Sequence, residues 1–244
     1  MRYVLAIAGV LCGSGGAQAI DHPCVEGVAK TGSVQKISPR GHWFTLKGSP
    51  QKYTLAGVIL NHPSNLGGAL ADELTVFPTA NSADRYGRVA VQVWQDGTWV
   101  QGKILSNGEA YAFPVEVSSL CRRALFETEK QAEVQSRGLW AASTIAMKAE
   151  DLRSLSSKFG HFALVQGKVL SVGNRKRRIY LNFGQKWSQD FTVSVLKKGS
   201  GAYNGDINAL LNLKNKTIRV RGMLEKQQGP LIRVFHEGQI EFAD

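Results

Sequence analysis

The fold is indicated first by one continuous stretch, DRYGRVAVQVWQDGTWV, at residues 84–100. Its central run, RVAVQVWQ, is rich in β-branched and aromatic residues, as strands are. Asp96-Gly97 then separates two apolar runs, which is a strong hairpin signal because glycine tolerates the positive φ of such a turn. The stretch therefore predicts two antiparallel strands joined by a tight turn.

Comparable runs surround this stretch and are separated by Gly, Pro, Asn and Asp: SVQKI, WFTLKG, KYTLAGVIL and GTWVQGKIL. They predict a small barrel-like sheet. From Ser118 to Gly138, apolar residues recur at three- to four-residue spacing among charges, and Arg137-Gly138 has the form of a C-terminal cap. An amphipathic helix is therefore expected after the barrel.

The C-terminal part of the chain contains five further strand candidates: HFALVQGKVLSV, RRIYLNFG, DFTVSVL, KTIRVRGML and GPLIRVFH. A helical segment at Asp206–Leu213 separates the third from the fourth, which is the element order of an OB-fold barrel. Alternation along the strands predicts that Tyr180, Arg219 and Arg221 point outward. The predicted fold class is mainly β, with two OB-type barrels and a helix after the first.

The predicted organisation is a signal peptide at residues 1–19, a domain at 20–145, a linker at 146–160 and a basic OB-like domain at 161–244. The first segment has one positive charge, an apolar run too short to span a bilayer, and small residues before the expected cleavage site. No later run has the length of a transmembrane helix. We therefore expect an exported protein that is periplasmic or secreted.

The positive charge lies almost entirely in the C-terminal part. The chain has 30 Lys and Arg against 19 Asp and Glu, a formal charge of +11. Residues 20–145 carry 12 basic and 11 acidic residues, whereas residues 146–244 carry 17 and 8. Such an excess predicts an acidic partner: nucleic acid, an anionic membrane surface or a polyanionic polymer.

Two cysteines, Cys24 and Cys121, remain once the leader is removed. In an oxidising compartment they predict a disulfide, and closing a loop of about 100 residues contributes at most about 4 to 5 kcal/mol. Two buried free thiols are the alternative. A metal site at His22 and Cys24 is disfavoured because no second pair of ligands has suitable spacing.

The DRYGR turn, the D-G-x-W-V-Q hairpin and the terminal RGLW at Arg137–Trp140 occur in this order. In these motifs and their spacing, residues 28–142 resemble the staphylococcal nuclease (thermonuclease) family. The resemblance implies an OB barrel followed by a helix. It also implies Ca²⁺-dependent phosphodiester hydrolysis by two aspartates, a glutamate and two arginines.

Most of the residues that this chemistry needs are replaced. Aligned on the family's motifs, the five catalytic positions fall on Gly41, Thr54, Ile59, His62 and Arg88. The Ca²⁺ ligand positions are Gly41 and Ile59, which offer no side-chain oxygen, so no cofactor is expected. A shift of register that matches Pro63 to the family's proline places Ser64 at the glutamate position. Arg88 is the one retained position, and Ca²⁺-dependent hydrolysis is expected to be absent.

Two interpretations stay open for the residues at and near the positions that align with the family's catalytic site. His42 and His62 either form a replacement acid/base pair or are solvent-facing loop residues. Arg88 either contacts a ligand or pairs with Asp84 to fix the turn that Gly87 allows.

A binding surface is predicted in the second barrel instead. Its basic loop joins the first two strands, where OB-folds commonly grip ligands, and consists of Arg175, Lys176, Arg177 and Arg178. Three outward arginines could extend this surface, with three aromatic residues as stacking platforms: Arg219, Arg221 and Arg233, and Tyr180, Trp187 and Phe235. Alternatively, the basic loop is a solvated turn without a ligand, or it contacts anionic envelope polymers or lipid.

The sequence thus predicts an exported, monomeric, catalytically inactive thermonuclease-like protein that binds polyanions, including single-stranded DNA or RNA. One alternative is a secreted nuclease with rearranged catalytic groups, so enzymatic activity stays undecided. Another alternative is an envelope module that contacts proteins or cell-wall polymers.

Overall fold

The structure is a computed structural model and describes residues 20–62, 64–70, 73–79, 82–142, 145–186 and 188–242. The predicted signal peptide at residues 1–19, Pro63 and Trp187 therefore lie outside the described residues. Among the described residues, no helix is long and apolar enough to cross a membrane.

The N-terminal unit, residues 20–142, consists of eight strands and three α-helices in the part that is described. Its strands are β1 (Lys30–Ile37), β2 (Phe44–Leu46), β3 (Lys52–Leu55), β4 (Val58–Leu60), β5 (Glu73–Pro78), β6 (Arg88–Gln95), β7 (Thr98–Trp99) and β8 (Ala110–Ala112). Its helices are α1 (Ser64–Ala69), α2 (Val100–Ser106) and α3 (Ser119–Val134), followed by a 3₁₀ helix at Gly138–Ala141.

Five strands close this unit into a barrel. Their order is β3-β2-β1-β5-β6, and parallel pairing of β3 with β6 closes the circle. β4 and β8 form a separate antiparallel pair. The predicted hairpin is present between β6 and β7, with Trp94 opposite Trp99 and positive φ at both Asp96 and Gly97. The predicted barrel with a following helix is confirmed.

Three details differ from the sequence expectations. β5, which was not predicted, is the fourth strand of the barrel and pairs with β1 and β6. The predicted strand GTWVQGKIL is β-structured only at β7 and continues as α2. This segment is helical because Val100, Ile104 and Leu105 face the core, while buried Gln101 hydrogen-bonds the β6 backbone at Val91 and Val93.

The predicted helix at Ser118–Gly138 ends earlier than expected. Ser118 caps it by accepting a hydrogen bond from the Cys121 backbone, and α3 ends at Val134. Gly138 is not its cap but has a φ of +52° and lies against residues 107–108, where an added Cβ would come within 2.4 Å of a carbonyl oxygen. The glycine of RGLW is therefore required by this close approach.

The C-terminal unit, residues 145–242, is a second barrel with short helices. Its strands are β9 (Ala146–Lys148), β10 (Phe162–Lys168), β11 (Ser171–Asn174), β12 (Arg178–Asn182), β13 (Thr192–Leu196), β14 (Thr217–Gln227), β15 (Gly229–Val234) and β16 (Ile240–Phe242). Its helices are α4 (Leu152–Ser156) and α5 (Ile207–Leu211), with a 3₁₀ helix at Glu237–Gln239.

This barrel has the topology of the first one. The strand order is β11-β12-β13-β15-β14-β10, with β13 parallel to β15. β10 and β11 follow one another closely and act as the two halves of the first strand, one paired with β14 and the other with β12. The helix α5 lies between the third and fourth strands, as predicted. The expected OB-type topology is therefore confirmed.

The two units have separate cores and an extensive mutual contact. One buried cluster lies in each barrel. A row of aromatic rings crosses the boundary, with Phe162 5.2 Å from Tyr111 and 5.4 Å from Phe113 between ring centroids. The segment predicted as a linker forms β9, which pairs with β10, and α4, whose Leu155 is buried in the second core.

Candidate ligand-binding face of the C-terminal barrel

The basic loop forms the turn between β11 and β12. The Arg175 N–H donates to the Arg178 carbonyl at 2.8 Å, which closes the turn. Arg175, Lys176 and Arg177 are exposed, and none of them forms an ion pair with a carboxylate of the described residues. The loop therefore presents uncompensated positive charge to solvent.

Two further lysines lie beside this loop and were missed from the sequence. The Lys197 N–H donates to the Arg177 carbonyl at 3.0 Å, and its ammonium group donates to the side-chain oxygen of Asn174. Lys198 follows and is exposed. Their signal was present, because both directly follow the third predicted strand, but only strand pairing shows that this end of β13 lies beside the loop.

The outer surface of the sheet next to the loop forms an open groove of about 520 Å³. Ile179 and Leu181 are fully buried, so the alternating residues Tyr180 and Asn182 face outward as predicted. The β14–β15 hairpin forms another wall. The groove is lined by Gly173, Arg175, Tyr180, Asn182, Asp190, Thr192, Gln227, Gln228, Pro230 and Leu231.

The remaining predicted arginines divide between this face and the opposite side of the barrel. The guanidinium of Arg178 donates to the Ser194 hydroxyl at 3.1 Å, and Arg233 stands opposite Ser194 on β15. Arg233 forms an exposed ion pair with Glu225 at 2.9 Å. Its charge is thus locally balanced, whereas that of Arg178 is not balanced by a carboxylate of the described residues.

The prediction that Arg221 belongs to a solvent-facing ligand surface is wrong. Arg221 points away from its own barrel but is fully buried, because α3 of the N-terminal unit covers it. Its guanidinium forms an ion pair with Glu129 at 3.0 Å and contacts Glu241 and the Ala112 carbonyl oxygen. Burial raises the pKa of the Glu129 carboxyl against the opposing charge of Arg221.

Arg219 is also committed to the contact between the units, which corrects its predicted role. It donates to both carboxylate oxygens of Glu133, at 2.9 and 3.2 Å, and to Gln166. Burial raises the pKa of Glu133, but the hydrogen bonds and charges of Arg219 and Lys130 outweigh this effect and hold it below its ordinary value. Sequence alternation could not show that another unit lies against this face.

Of the two predicted platforms besides Tyr180, Trp187 lies outside the described residues. Phe235 does not line the groove but follows β15 near the other unit, with its ring centroid 6.5 Å from that of Phe113. Among the described residues, Tyr180 is therefore the aromatic residue in the lining of the groove.

In the N-terminal unit, Arg88 is engaged within its own turn. Its side chain binds the Asp84 carboxylate at 2.7 and 2.8 Å, and the other Asp84 oxygen accepts the backbone N–H groups of Tyr86 and Arg88. Slight burial raises the pKa of Asp84, but its hydrogen bonds and the Arg88 charge give a net lowering. This geometry is the turn-fixing alternative considered above.

The other positions aligned with the family's catalytic residues do not build a cation site. Gly41 lies in the β1–β2 connection with a φ of +59°, Thr54 lies in β3, and Ile59 lies in β4 opposite Tyr111. The described residues hold no group of three or more His, Cys, Asp or Glu that could bind a metal ion. The residues present at the aligned positions therefore do not fit Ca²⁺.

His42 and His62 occupy different connections. The His42 N–H donates to the Ser38 hydroxyl at 2.8 Å. The His62 ring nitrogen Nδ1 lies 2.8 Å from the Ser64 hydroxyl, and both His62 and Ser64 are exposed. Each histidine thus has local backbone or side-chain contacts of its own loop.

The predicted disulfide is confirmed between Cys24 and Cys121, whose Cα atoms are 4.5 Å apart. It joins the segment before β1 to the first turn of α3, and both residues are buried in the first core. The same segment packs His22 against Trp94 and Trp99.

Comparison with known proteins identifies the N-terminal unit alone. Residues 54–142 match the family model described as staphylococcal nuclease homologue. The matched region begins within β3 and ends after the 3₁₀ helix, so it includes neither Gly41 nor any of the second barrel. The chain matches none of the curated proteins with which it was compared. The N-terminal unit is therefore staphylococcal nuclease-like.

Proposed function

We propose that this nuclease-like chain is an exported, non-catalytic binding protein. It binds polyanions, single-stranded DNA or RNA foremost, as a monomer. The observation that carries the proposal is the unpaired basic loop at Arg175–Arg178 beside an open groove that contains Tyr180. We propose residues 20–145 and 146–244 as its two domains, because β9 and α4 of the segment predicted as a linker belong to the second barrel.

Electrostatics supports a polyanion as the ligand. Lys197 and Lys198 lie beside the basic loop, so six cationic residues cluster around the β11–β12 turn, of which Arg175 lines the groove. Neutralising phosphates with such residues releases counterions from a single strand, which makes binding tight at low salt and weak at high salt.

The groove itself supports a single strand with unpaired bases. Tyr180 is partly exposed on the outer face, where an aromatic ring can stack on a base whatever its identity. The amides of Asn182, Gln227 and Gln228 can donate to and accept from base edges. A groove with cations at one end and an aromatic platform within it is an arrangement that OB-folds use for oligonucleotides.

The absence of catalysis is supported by the replaced positions. The aligned residues Gly41 and Ile59 supply no oxygen ligand, and Arg88 is held by Asp84. Loss of a metal site removes both the Lewis acid and the activated water of such a mechanism.

Export is supported by the disulfide and by the N-terminal sequence. Disulfides persist in oxidising compartments such as the periplasm or the extracellular space. The first residues of the chain have the charge, apolar run and small residues of a signal peptide.

The test is a gel that reports cleavage and retardation together. The purified protein is incubated with labelled single-stranded DNA and RNA in Ca²⁺, Mg²⁺ or EDTA. We expect retardation without cleavage under all three conditions. Cleavage that EDTA abolishes would overturn the proposal in favour of the rearranged nuclease. If neither cleavage nor retardation is seen, the proposal is overturned in favour of the envelope module.

A variant with all four loop residues changed to Ala, Arg175→Ala through Arg178→Ala, locates the contact. We expect the slope of log K against log salt concentration to fall by about 2 to 3, since each lost phosphate contact on a single strand contributes about 0.7. The matched control changes four exposed lysines of the same unit outside the groove, namely Lys158, Lys168, Lys214 and Lys216. Equal slopes for both variants would place the contact elsewhere.

A further inference from the structure

The groove of the second barrel has charges of opposite sign at its two ends. Arg175 of the basic loop and the acidic residue Asp190 both line it. The basic loop leads into Arg178, whose strand partner Leu196 ends β13, whereas Asp190 lies two residues before β13 begins. The length of β12, about 13 Å at about 3.3 Å per residue, separates these ends. The groove thus has a cationic end and an anionic end.

Hydrogen bonds to the backbone of Lys186 hold Asp190 in place. The Lys186 N–H donates to the Asp190 carboxylate at 2.6 Å, and the Lys186 carbonyl accepts the Asp190 N–H at 2.9 Å. An added Cβ at Gly184 would lie 1.9 Å from the Asp190 Oδ2, so this glycine leaves room for the carboxylate. The carboxylate is therefore positioned before any ligand arrives.

The β14–β15 turn places side-chain amides beside this carboxylate. Its two glutamines, Gln227 and Gln228, line the groove. At Gly229, which follows them, an added Cβ would come within 2.7 Å of the Asp190 carbonyl oxygen. The turn therefore packs closely against the backbone of Asp190, and the three polar side chains form one wall at the anionic end.

The Asp190 carboxylate has no cationic partner in the described part of the chain, where none of the ion pairs includes it. In a groove that binds a polyanion, such a carboxylate repels the phosphates. The phosphates therefore bind at the end that Arg175 lines. A base, rather than the sugar-phosphate backbone, then faces Asp190.

We propose that Asp190 selects bases that carry an exocyclic amino group, so that the groove prefers cytosine to uracil. This inference rests on the proposed function of the groove. Tyr180 lies in the middle of β12, and a base stacked on its ring lies between the two ends. The carboxylate accepts a hydrogen bond from the N4 amino group of cytosine. Uracil has a carbonyl oxygen at the same position, and two acceptors repel each other.

The experiment compares two single-stranded probes that differ at this position of the base, oligo(dC) and oligo(dU). Both have about 8 nucleotides, which is enough to fill one OB site. Titrations at slightly alkaline pH keep cytosine unprotonated. The wild-type protein should bind oligo(dC) about tenfold more tightly than oligo(dU), which is the discrimination that one good base contact provides.

The variant Asp190→Asn tests whether this residue makes the selection. The Asn oxygen can still accept the Lys186 N–H, and the Asn amide nitrogen can donate to the uracil carbonyl. The ratio of the two affinities should therefore fall to about one or reverse. If Asp190 only repelled phosphates, both affinities would rise together and the ratio would keep its wild-type value, which would refute the proposal. The control, Glu150→Gln, removes an exposed carboxylate of the same unit outside the groove and should leave the ratio unchanged.

A second variant, Gly184→Ala, keeps the charge of Asp190 but displaces its carboxylate, because the added methyl group occupies its place. The preference for oligo(dC) should fall here as well, although the net charge is unchanged. Binding of oligo(dU) at wild-type strength or tighter shows that the groove is intact. A preference that persists undiminished in this variant would refute selection by the positioned carboxylate.

Failure of this inference is distinguishable from failure of the proposed function. If the wild-type protein binds neither strand, the proposed function fails and base selection fails with it. If it binds both strands equally, or oligo(dU) more tightly, base selection by Asp190 is refuted and the groove remains a binding site without this preference.

Discussion

The contact between the two units should depend on one buried ion pair, and Arg221→Ala tests this dependence. Arg221 is fully buried and the Glu129 side chain is 4% exposed. In the variant, Glu129 keeps one described donor, the Ala112 N–H at 2.7 Å, and loses the charge that balances it. The Arg221 guanidinium also lies over the Phe126 ring, at 4.7 Å, and that contact is lost too.

The expected loss is large because a buried carboxylate remains without its partner. Breaking a buried pair from one side costs about 3 to 5 kcal/mol, a substantial part of the about 5 to 15 kcal/mol that stabilises a typical protein. The control is Arg233→Ala, whose pair with Glu225 is exposed and worth about 0 to 1 kcal/mol. The free energy of unfolding is measured by urea titration, followed by tryptophan fluorescence and far-ultraviolet circular dichroism.

The loss of unfolding free energy in Arg221→Ala should also depend on pH. Burial of Glu129 determines whether the loss grows or shrinks as pH rises. Burial raises the pKa of this carboxyl in the folded protein, and removal of Arg221 raises it further. A raised folded pKa means that stability falls as pH rises above the unfolded value of about 4.5. Arg221→Ala should therefore be less destabilising near about pH 5 than near about pH 8. A loss below about 1 kcal/mol at both pH values would refute the reasoning, since it would equal that of an exposed pair.

Two further predictions concern the disulfide and the second ion pair. The variant Cys24→Ala/Cys121→Ala should lose about 2 to 5 kcal/mol of unfolding free energy, because the bridge spans 97 positions, and two alkylatable thiols in the unreduced wild type would contradict the bond. Glu133→Gln should be less stable than wild type above about pH 5, since Arg219 and Lys130 outweigh burial and lower the folded pKa of Glu133, and the difference should shrink as pH falls through that lowered pKa. Urea titrations across this pH range measure it, and a pH-independent difference would contradict the assignment.

Local pattern was sufficient for much of the fold. The turn at Asp96-Gly97 requires positive φ at both residues, and Asp followed by Gly is a pair that adopts this conformation readily. The hairpin was therefore predictable from these two residues. Alternation along RRIYLNFG placed Ile179 and Leu181 inside the barrel and Tyr180 outside, because the side-chain period of a strand is two residues.

The secondary structure of segments with short or ambiguous patterns could not be predicted from the sequence alone. Residues 98–106 look like a strand by composition, but packing against β6 makes all but the first two helical. β5 is six residues long and ends in Pro78, and its place in the barrel depends on pairing with β1 and β6 rather than on its own sequence.

The sequence by itself determined the two barrels, the disulfide and the basic loop, because these follow from local spacing and residue type. The tertiary structure decided which cations are free. Arg221 and Lys197 have the same charge, yet one is buried against Glu129 and the other lies beside the Arg175–Arg178 loop. Only the packing of α3 on the second barrel makes that difference, since alternation tells whether a side chain leaves its own sheet but not what lies on the other side.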